Sequence, residues 1–169
     1  PVGLDIAVLK KNIPADEKMR LRKEHGFEAD DVILCNVSRL SWEKRPLELI
    51  DLFLQVKGKK KFKLIIVGNG PLEEELNEKI RKNGLVDAKA EIAEAEKLIK
   101  MWEIYEMSDY YLNMNKGEIF GMAIMEAVYY KTSVAAIRAL GPSVTLKDMK
   151  GHKLCENDDE MAEWITGPY

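Results

Sequence analysis

Two glutamates stand in an otherwise apolar stretch, "NKGEIFGMAIMEAVYY" (Asn115 to Tyr130). They are Glu118 and Glu126, with seven residues between them. Carboxylates are seldom fully buried without a partner, so the pair asks for a ligand or a cation. The apolar run predicts a helix from Phe120. Glu118 then falls in the turn before it, and Glu126 lies about 9 Å further along the axis at about 1.5 Å per residue. Helical side chains lean toward the N-terminus. Free N–H groups at a helix start bind anions, and Gly121 leaves the Phe120, Gly121, Met122 turn unobstructed. A phosphate seated there would have one carboxylate beside it on each side. Carboxylates accept well from vicinal hydroxyls, so the sugar, diphosphate and ribose of a nucleotide-sugar match the layout. A second reading pairs Glu126 with a core cation and leaves Glu118 as a residue favoured by the helix dipole.

Other turns add candidates. "VSRLSWEKRP" sets Arg39 and Lys44 just past an apolar run, where a planar fork and a point charge suit a diphosphate; two surface cations would look the same. "VGNGP" offers Gly68 and Gly70, which let backbone approach a ligand or take a positive φ. Tight turns use the same letters, and the stretch lacks the spacing of a dinucleotide fingerprint or a phosphate loop. "RALGPS" brings Gly141 to a further helix start. There is no Asp-x-Asp doublet, and the acids of "NDDE" (Asn157 to Glu160) read as the cap of a last helix. His25 and His152 read as surface residues, which speaks against a histidine base. Tyr110–Tyr111 and Tyr129–Tyr130 read as packing.

Positioning these turns requires an alternation of strands and helices, and the sequence has one. "DVILCNVS", "FKLIIVG", "DYYLNMN" and "TSVAAI" read as buried strands, with "HKLC" as a last one. "EKRPLELIDLFLQV", "PLEEELNEKIRKNG", "AEKLIKMWEIYEM" and "FGMAIMEAVYY" read as helices between them, after a charged first helix, "ADEKMRLRKEHG", and before a final one, "DDEMAEWI". "LVDAKAEIAEAEKLIK" is rich in alanine and glutamate and favours helix, yet a parallel sheet wants a strand there; a short extended piece near Leu85 to Ile92 is expected. The fold class is α/β: a Rossmann-like parallel sheet of about six strands with helices on both faces. Ligands of such sheets bind beyond the carboxyl ends of the strands, where all of these turns lie.

The 169 residues suffice for one domain, and 46% hydrophobic with 33% charged is an ordinary globular composition. A net charge of −3 gives no overall attraction to nucleic acid or anionic lipid. "KGKKKFK" (Lys57 to Lys63) reads as a solvated loop before a strand. The two cysteines, Cys35 and Cys155, lack metal-like spacing; Cys35 reads as a buried thiol, consistent with a reducing cytosol. No apolar run approaches the ~20 residues of a membrane span. "PVGLDIAV" reads as the start of a piece cut from a longer protein.

In order, "VSRLSWEK", "IIVGNGPLEEEL", "IYEMSDYYLNMNKGE" and "EIFGMAIMEA" resemble the carboxyl-terminal, donor-binding domain of retaining glycosyltransferases of the GT-B fold, family 4 (group 1). The glutamate pair is similar to that family's E-x7-E motif. The resemblance runs from "PVGLD" to "DDEMAEWI". It implies that residues 1–169 are one half of a GT-B fold, a single nucleotide-sugar-binding domain whose amino-terminal, acceptor-binding domain is absent from this chain. It implies that Arg39 and Lys44 hold the diphosphate and stabilise the leaving group, and that Glu118 and the Phe120–Met122 amides face the sugar and phosphate. It gives Glu126 the ribose hydroxyls. By the same resemblance Arg39, Lys44 and Glu118 are catalytic, while Gly68, Gly70, Phe120, Gly121, Met122 and Glu126 bind the donor, which is UDP-linked. No metal or other cofactor is required for donor binding. The acceptor would be a surface polysaccharide or lipid, the location cytoplasmic at the inner membrane face, and any membrane contact would come through the missing domain. Ser38 stands where the family commonly has glycine, "RALGPS" replaces a more usual "GG" turn, and residues 85–100 match poorly. A GT-B nucleotide-sugar epimerase, a phosphorylase-like enzyme and a non-catalytic nucleotide-binding or interaction module are the alternatives.

Overall fold

The computed structural model describes residues 9–10, 12–85, 88–91 and 100–168. In chain order it contains α1 (Glu17–Glu24), β1 (Val32–Val37), a short 3-10 turn (Trp42–Lys44), α2 (Pro46–Val56) and β2 (Phe62–Val67). These are followed by α3 (Glu73–Lys82), β3 (Ala88–Glu91), α4 (Met101–Met107), β4 (Tyr110–Asn113), α5 (Met122–Tyr129), β5 (Ser133–Ile137), α6 (Leu140–Thr145), β6 (Lys153–Cys155) and α7 (Asp158–Thr166). The strands form one six-stranded sheet in the order β3-β2-β1-β4-β5-β6, and every neighbouring pair is parallel. Among the described residues no helix is long and apolar enough to cross a membrane.

Strand alternation divides the core into two layers. Leu34, Leu64, Leu112 and Ile137 pack with α2, α3 and α7 on one face. Ile33, Cys35, Ile65, Tyr111 and Val134 pack with α1, α4 and α5 on the other. Successive residues of a strand point to opposite faces, so strands apolar at every position must be covered on both. Local chemistry sets the helix limits. Pro46 opens α2, and Leu49, Ile50, Leu52, Phe53 and Val56 form its buried side. Acidic residues fill the first turn of α3 and basic ones its last, matching the dipole; Gly84, at φ 59°, lies just beyond its end. The Asn157 side chain accepts from the Glu160 N–H and caps α7.

The extended piece expected near Leu85 to Ile92 is β3, paired with β2 from Leu64–Ala88 to Val67–Glu91. The opening "PVGLDIAV" and the amino-terminal end of the helix expected over Ala95 to Met107 lie outside the described residues. The histidines differ from expectation. Both are largely covered rather than on the surface: the His25 side chain is 14% exposed, and the His152 Nδ1 accepts the Val134 N–H at 3.0 Å. His152 ends the loop before β6 and tucks under β5, so burial pushes its pKa down. The basic run is a loop as expected, with Lys61 on Glu28 and Asp30 and Lys60 on the carbonyls of Ile165 and Gly167. Cys35 and Cys155 are both free and buried, with thiols pushed up to about 12 by burial.

Candidate functional site

The strand order reverses between β1 and β4, since the chain runs outward from β1 to β3 and then returns to place β4 on the other side of β1. The two turns that leave these strands diverge and open a crevice, as in other doubly wound sheets. A cavity of about 280 Å³ occupies it, lined among others by Arg39 and Lys44 from the turn after β1 and by Asn113, Asn115, Glu118 and Phe120 from β4 and its following turn. Gly121 and Met122, at the start of α5, complete the wall. A larger hollow of about 600 Å³, lined by Lys10, Lys18, Glu106 and Lys131 among others, lies at the amino ends of the strands and holds none of the candidate residues.

Glu118 is the best-held group in the crevice. Its Oε2 accepts from Lys44 Nζ at 3.2 Å, Asn113 Nδ2 at 3.3 Å and Asn115 Nδ2 at 3.5 Å. Its Oε1 accepts from the Gly121 N–H at 3.2 Å. Burial acts to raise the carboxyl pKa; the Asn113 bond, the Lys44 charge and bond, and the Gly121 amide outweigh it and hold the group below its ordinary value. Lys44 reaches this point because Arg45, at φ 53°, turns the chain from the 3-10 turn into α2. Arg45 is itself clamped by two bonds to Asp158, at 2.9 and 2.7 Å, and one to the Met114 carbonyl. Arg39 is exposed, lines the cavity and makes no side-chain hydrogen bond or ion pair among the described residues.

The helix start is available to a ligand. Gly121 takes φ 64° as the residue before α5, and the Met122 and Ala123 N–H groups have no hydrogen-bond partner among the described residues. Phe120 is 55% exposed at the rim. Gly141 braces the loop from behind: its N–H donates to the Glu118 carbonyl at 2.9 Å. A Cβ there would sit 2.7 Å from the Ile119 carbonyl oxygen, so only glycine fits.

Glu126 and the two glycines of the second turn do not line the cavity. Glu126 is half-buried one turn further along α5, and its Oε2 accepts from the Tyr105 hydroxyl at 2.7 Å. No core cation pairs with it among the described residues. Gly68 and Gly70, at φ 150° and 155°, lie against the backbone of the first turn. A Cβ would sit 1.7 Å from the Ser38 carbonyl oxygen at Gly68 and 2.5 Å from that of Leu40 at Gly70. The Leu40 N–H donates to the Asn69 carbonyl, and the Leu72 N–H to that of Leu40, fastening the two turns together. The asparagines were not singled out from the sequence, although Asn113 and Asn115 share one side of "DYYLNMN" by their spacing.

The sequence model of the family described as "Glycosyl transferases group 1" matches residues 17–166. The alpha-monoglucosyldiacylglycerol synthase of Streptococcus pneumoniae is 26% identical over 141 residues, 80% of this chain and 31% of that protein. The amylovoran biosynthesis glycosyltransferase AmsD of Erwinia amylovora is 34% identical over 113 residues, 66% of this chain and 31% of that protein. Among solved structures, WaaG, a glycosyltransferase involved in lipopolysaccharide biosynthesis, superposes with a TM-score of 0.81 at 14% identity, covering 98% of this chain and 45% of that one. HepE of Anabaena in complex with UDP gives 0.73 at 22% identity, covering 90% of this chain and 43% of that one. The chain spans about a third of the curated relatives' length, 31% for each of these two, and less than half of these solved chains. With a glutamate-bearing helix start at the switch point of a parallel sheet and the family match over residues 17–166, this chain belongs to the glycosyl transferases group 1 family.

Proposed function

We propose that this chain is the donor-binding domain of a retaining, family 4 glycosyltransferase that moves a sugar from a UDP-linked donor to a surface polysaccharide or lipid. The carrying observation is that Arg39, Lys44, Glu118 and the start of α5 converge on one cavity at the switch point. A diphosphate on the α5 N–H groups would lie between the Arg39 guanidinium and the Lys44 ammonium. Cations fixed where leaving-group charge develops stabilise it more than the ground state. With two of them present, donor binding needs no metal. Glu118 faces the sugar. Glu126, whose Oε1 has no hydrogen-bond partner among the described residues, takes the ribose hydroxyls. Gly68 and Gly70 serve by keeping the second turn low beside the first.

HepE structures hold UDP with glucose and UDP-glucose, which supports the donor class. Relatives named for a glucosyldiacylglycerol and for amylovoran biosynthesis support the acceptor class. The acceptor would bind an amino-terminal domain of the same protein, working in the cytoplasm at the inner membrane face.

Calorimetric titration of the chain with UDP in EDTA tests the reading. Binding should persist without metal, and Arg39→Ala or Lys44→Ala should each weaken it by about 1.5–3 kcal/mol, the range for charged hydrogen bonds. Unchanged affinity in both variants would remove this turn from the site.

A further inference from the structure

We propose that Asn113 and Asn115 are positioning residues for Glu118: they hold its carboxylate in place when Lys44 turns from it to the donor diphosphate. The proposal rests on the reading of Glu118 as the sugar-facing group. Asn113 and Asn115 are 5% and 7% exposed, at the end of β4 and just beyond it. Buried amides must satisfy both ends, and the backbone decides which end goes where. Asn113 Oδ1 accepts from the Asn115 N–H at 3.0 Å, and Asn115 Oδ1 accepts from the Gly117 N–H at 2.8 Å. An N–H can only donate, so both amide nitrogens must point the other way, toward Glu118 Oε2 at 3.3 and 3.5 Å. A third asparagine extends the scaffold to β1: Asn36 Nδ2 donates to the Leu112 carbonyl at 2.7 Å, and its Oδ1 accepts from Ser38 Oγ at 2.8 Å.

Glu118 thus has two kinds of partner. Lys44, on the turn after β1, is a cation from a different segment, 3.2 Å from the carboxylate, that a diphosphate would draw away. The amides of Asn113 and Asn115 and the Gly121 N–H are fixed neutral donors that remain. Among the described residues the other ionisable groups lining the cavity with the carboxylate are Arg39 and the buried Tyr111 hydroxyl, which donates to the Val37 carbonyl at 3.0 Å. With the amides in place, Glu118 stays ionised and in one orientation throughout.

Asn113→Asp separates this from simple loop fastening. Aspartate keeps an acceptor for the Asn115 N–H and puts a negative oxygen against Glu118, where like charges oppose one another. Carbon-13 NMR of the Glu118 carboxyl gives its protonation midpoint without any ligand. The midpoint should rise in Asn113→Asp and rise less in Asn113→Ala. Calorimetry should show UDP-glucose affinity falling about tenfold or more in Asn113→Asp, the size of a lost charged hydrogen bond, with UDP affinity within about threefold of wild type. If Asn113→Asp melts early, the same change in a Glu118→Gln background should recover most of the loss, because the opposing charge is gone. Equal destabilisation in both backgrounds, or a midpoint that does not move, overturns the proposal. A midpoint that moves while Glu118→Gln leaves UDP-glucose affinity untouched upholds the positioning and overturns the sugar-facing role instead.

Discussion

Glu126→Gln tests the second half of the glutamate pair, and the structure sets the sizes of its effects. Among the described residues the carboxylate accepts one bond, from the Tyr105 hydroxyl, at 2.7 Å. A glutamine oxygen can accept the same bond, so the change replaces a charged hydrogen bond, about 1.5–3 kcal/mol net, with a neutral one, about 0.5–1.5 kcal/mol. The stability loss should be about 1 kcal/mol, which for a chain of this size is a fall in Tm of about 2–4 °C. If the carboxylate also takes the ribose hydroxyls, UDP and UDP-glucose should both weaken, by about tenfold, because the ribose is common to them. Differential scanning calorimetry and isothermal titration on the same preparation give both numbers. A residue that only holds the core predicts the reverse pattern. Were Glu126 the partner of a buried cation, neutralising it would cost about 3–5 kcal/mol, a fall in Tm of about 10 °C, with nucleotide affinity unchanged. That pair of results would refute the ribose assignment.

Further outcomes follow from the packing and the buried titratable groups. Gly68→Ala would drive a Cβ to within 1.7 Å of the Ser38 carbonyl oxygen, so the two turns must separate; denaturant melts should show a loss of at least about 3 kcal/mol. Glu106 is held above its ordinary carboxyl range by burial. Its contribution is therefore present in acid and lost as pH rises through the raised value, so Glu106→Gln should melt higher than wild type at pH 7, with the gap closing in acid. His152 has its pKa lowered by burial, so the stability of its neutral form is present above about 6.5 and is lost as pH falls below it. His152→Asn, which keeps an acceptor for the Val134 N–H, should show a smaller loss than wild type between pH 7 and 5.

The α/β alternation was readable because β1, β2, β4 and β5 are buried on both faces and the helices between them keep the period of a half-buried surface. β3 was harder. Ala88–Glu91 reads "AKAE", and a helix-favouring composition at a sheet edge is overridden by pairing with β2. That Arg39, Lys44, Glu118 and the α5 start would gather at one crevice was legible, because the turns beyond the strand ends meet at the switch point in this architecture. What Gly68 and Gly70 do was not. Their spacing fits a ligand loop or a close backbone crossing equally well, and only the position of Ser38–Leu40 decides which. The partner of Glu126 was hidden for a similar reason. Tyr105 is 21 residues away in sequence, and nothing local announces that its hydroxyl turns toward α5. The two histidines were misjudged because polarity alone suggests exposure, while burial here depends on α1 meeting α4 and on the loop before β6 folding under β5.

The sheet resembles an open book whose spine runs between β1 and β4. Each leaf is wound from neighbouring strand–helix–strand returns, but the spine joins residues some 76 positions apart, as in Leu34 with Tyr110. At its lower end Asp109 is the clasp: its carboxylate takes the Ile33 N–H, the Arg22 guanidinium and the Lys18 ammonium, while its own N–H donates to the Ile33 carbonyl. At the upper end the Asn36 amide and the Tyr111 hydroxyl cross between the leaves. The crevice lies above this upper end, with the cations on one leaf and Glu118 on the other. Neither leaf alone carries a site. On the proposed reading, binding competence would arrive only with the long-range closure that completes the fold, the slow step in chains dominated by non-local pairing, and a ligand spanning the crevice would act as a second clasp on the spine.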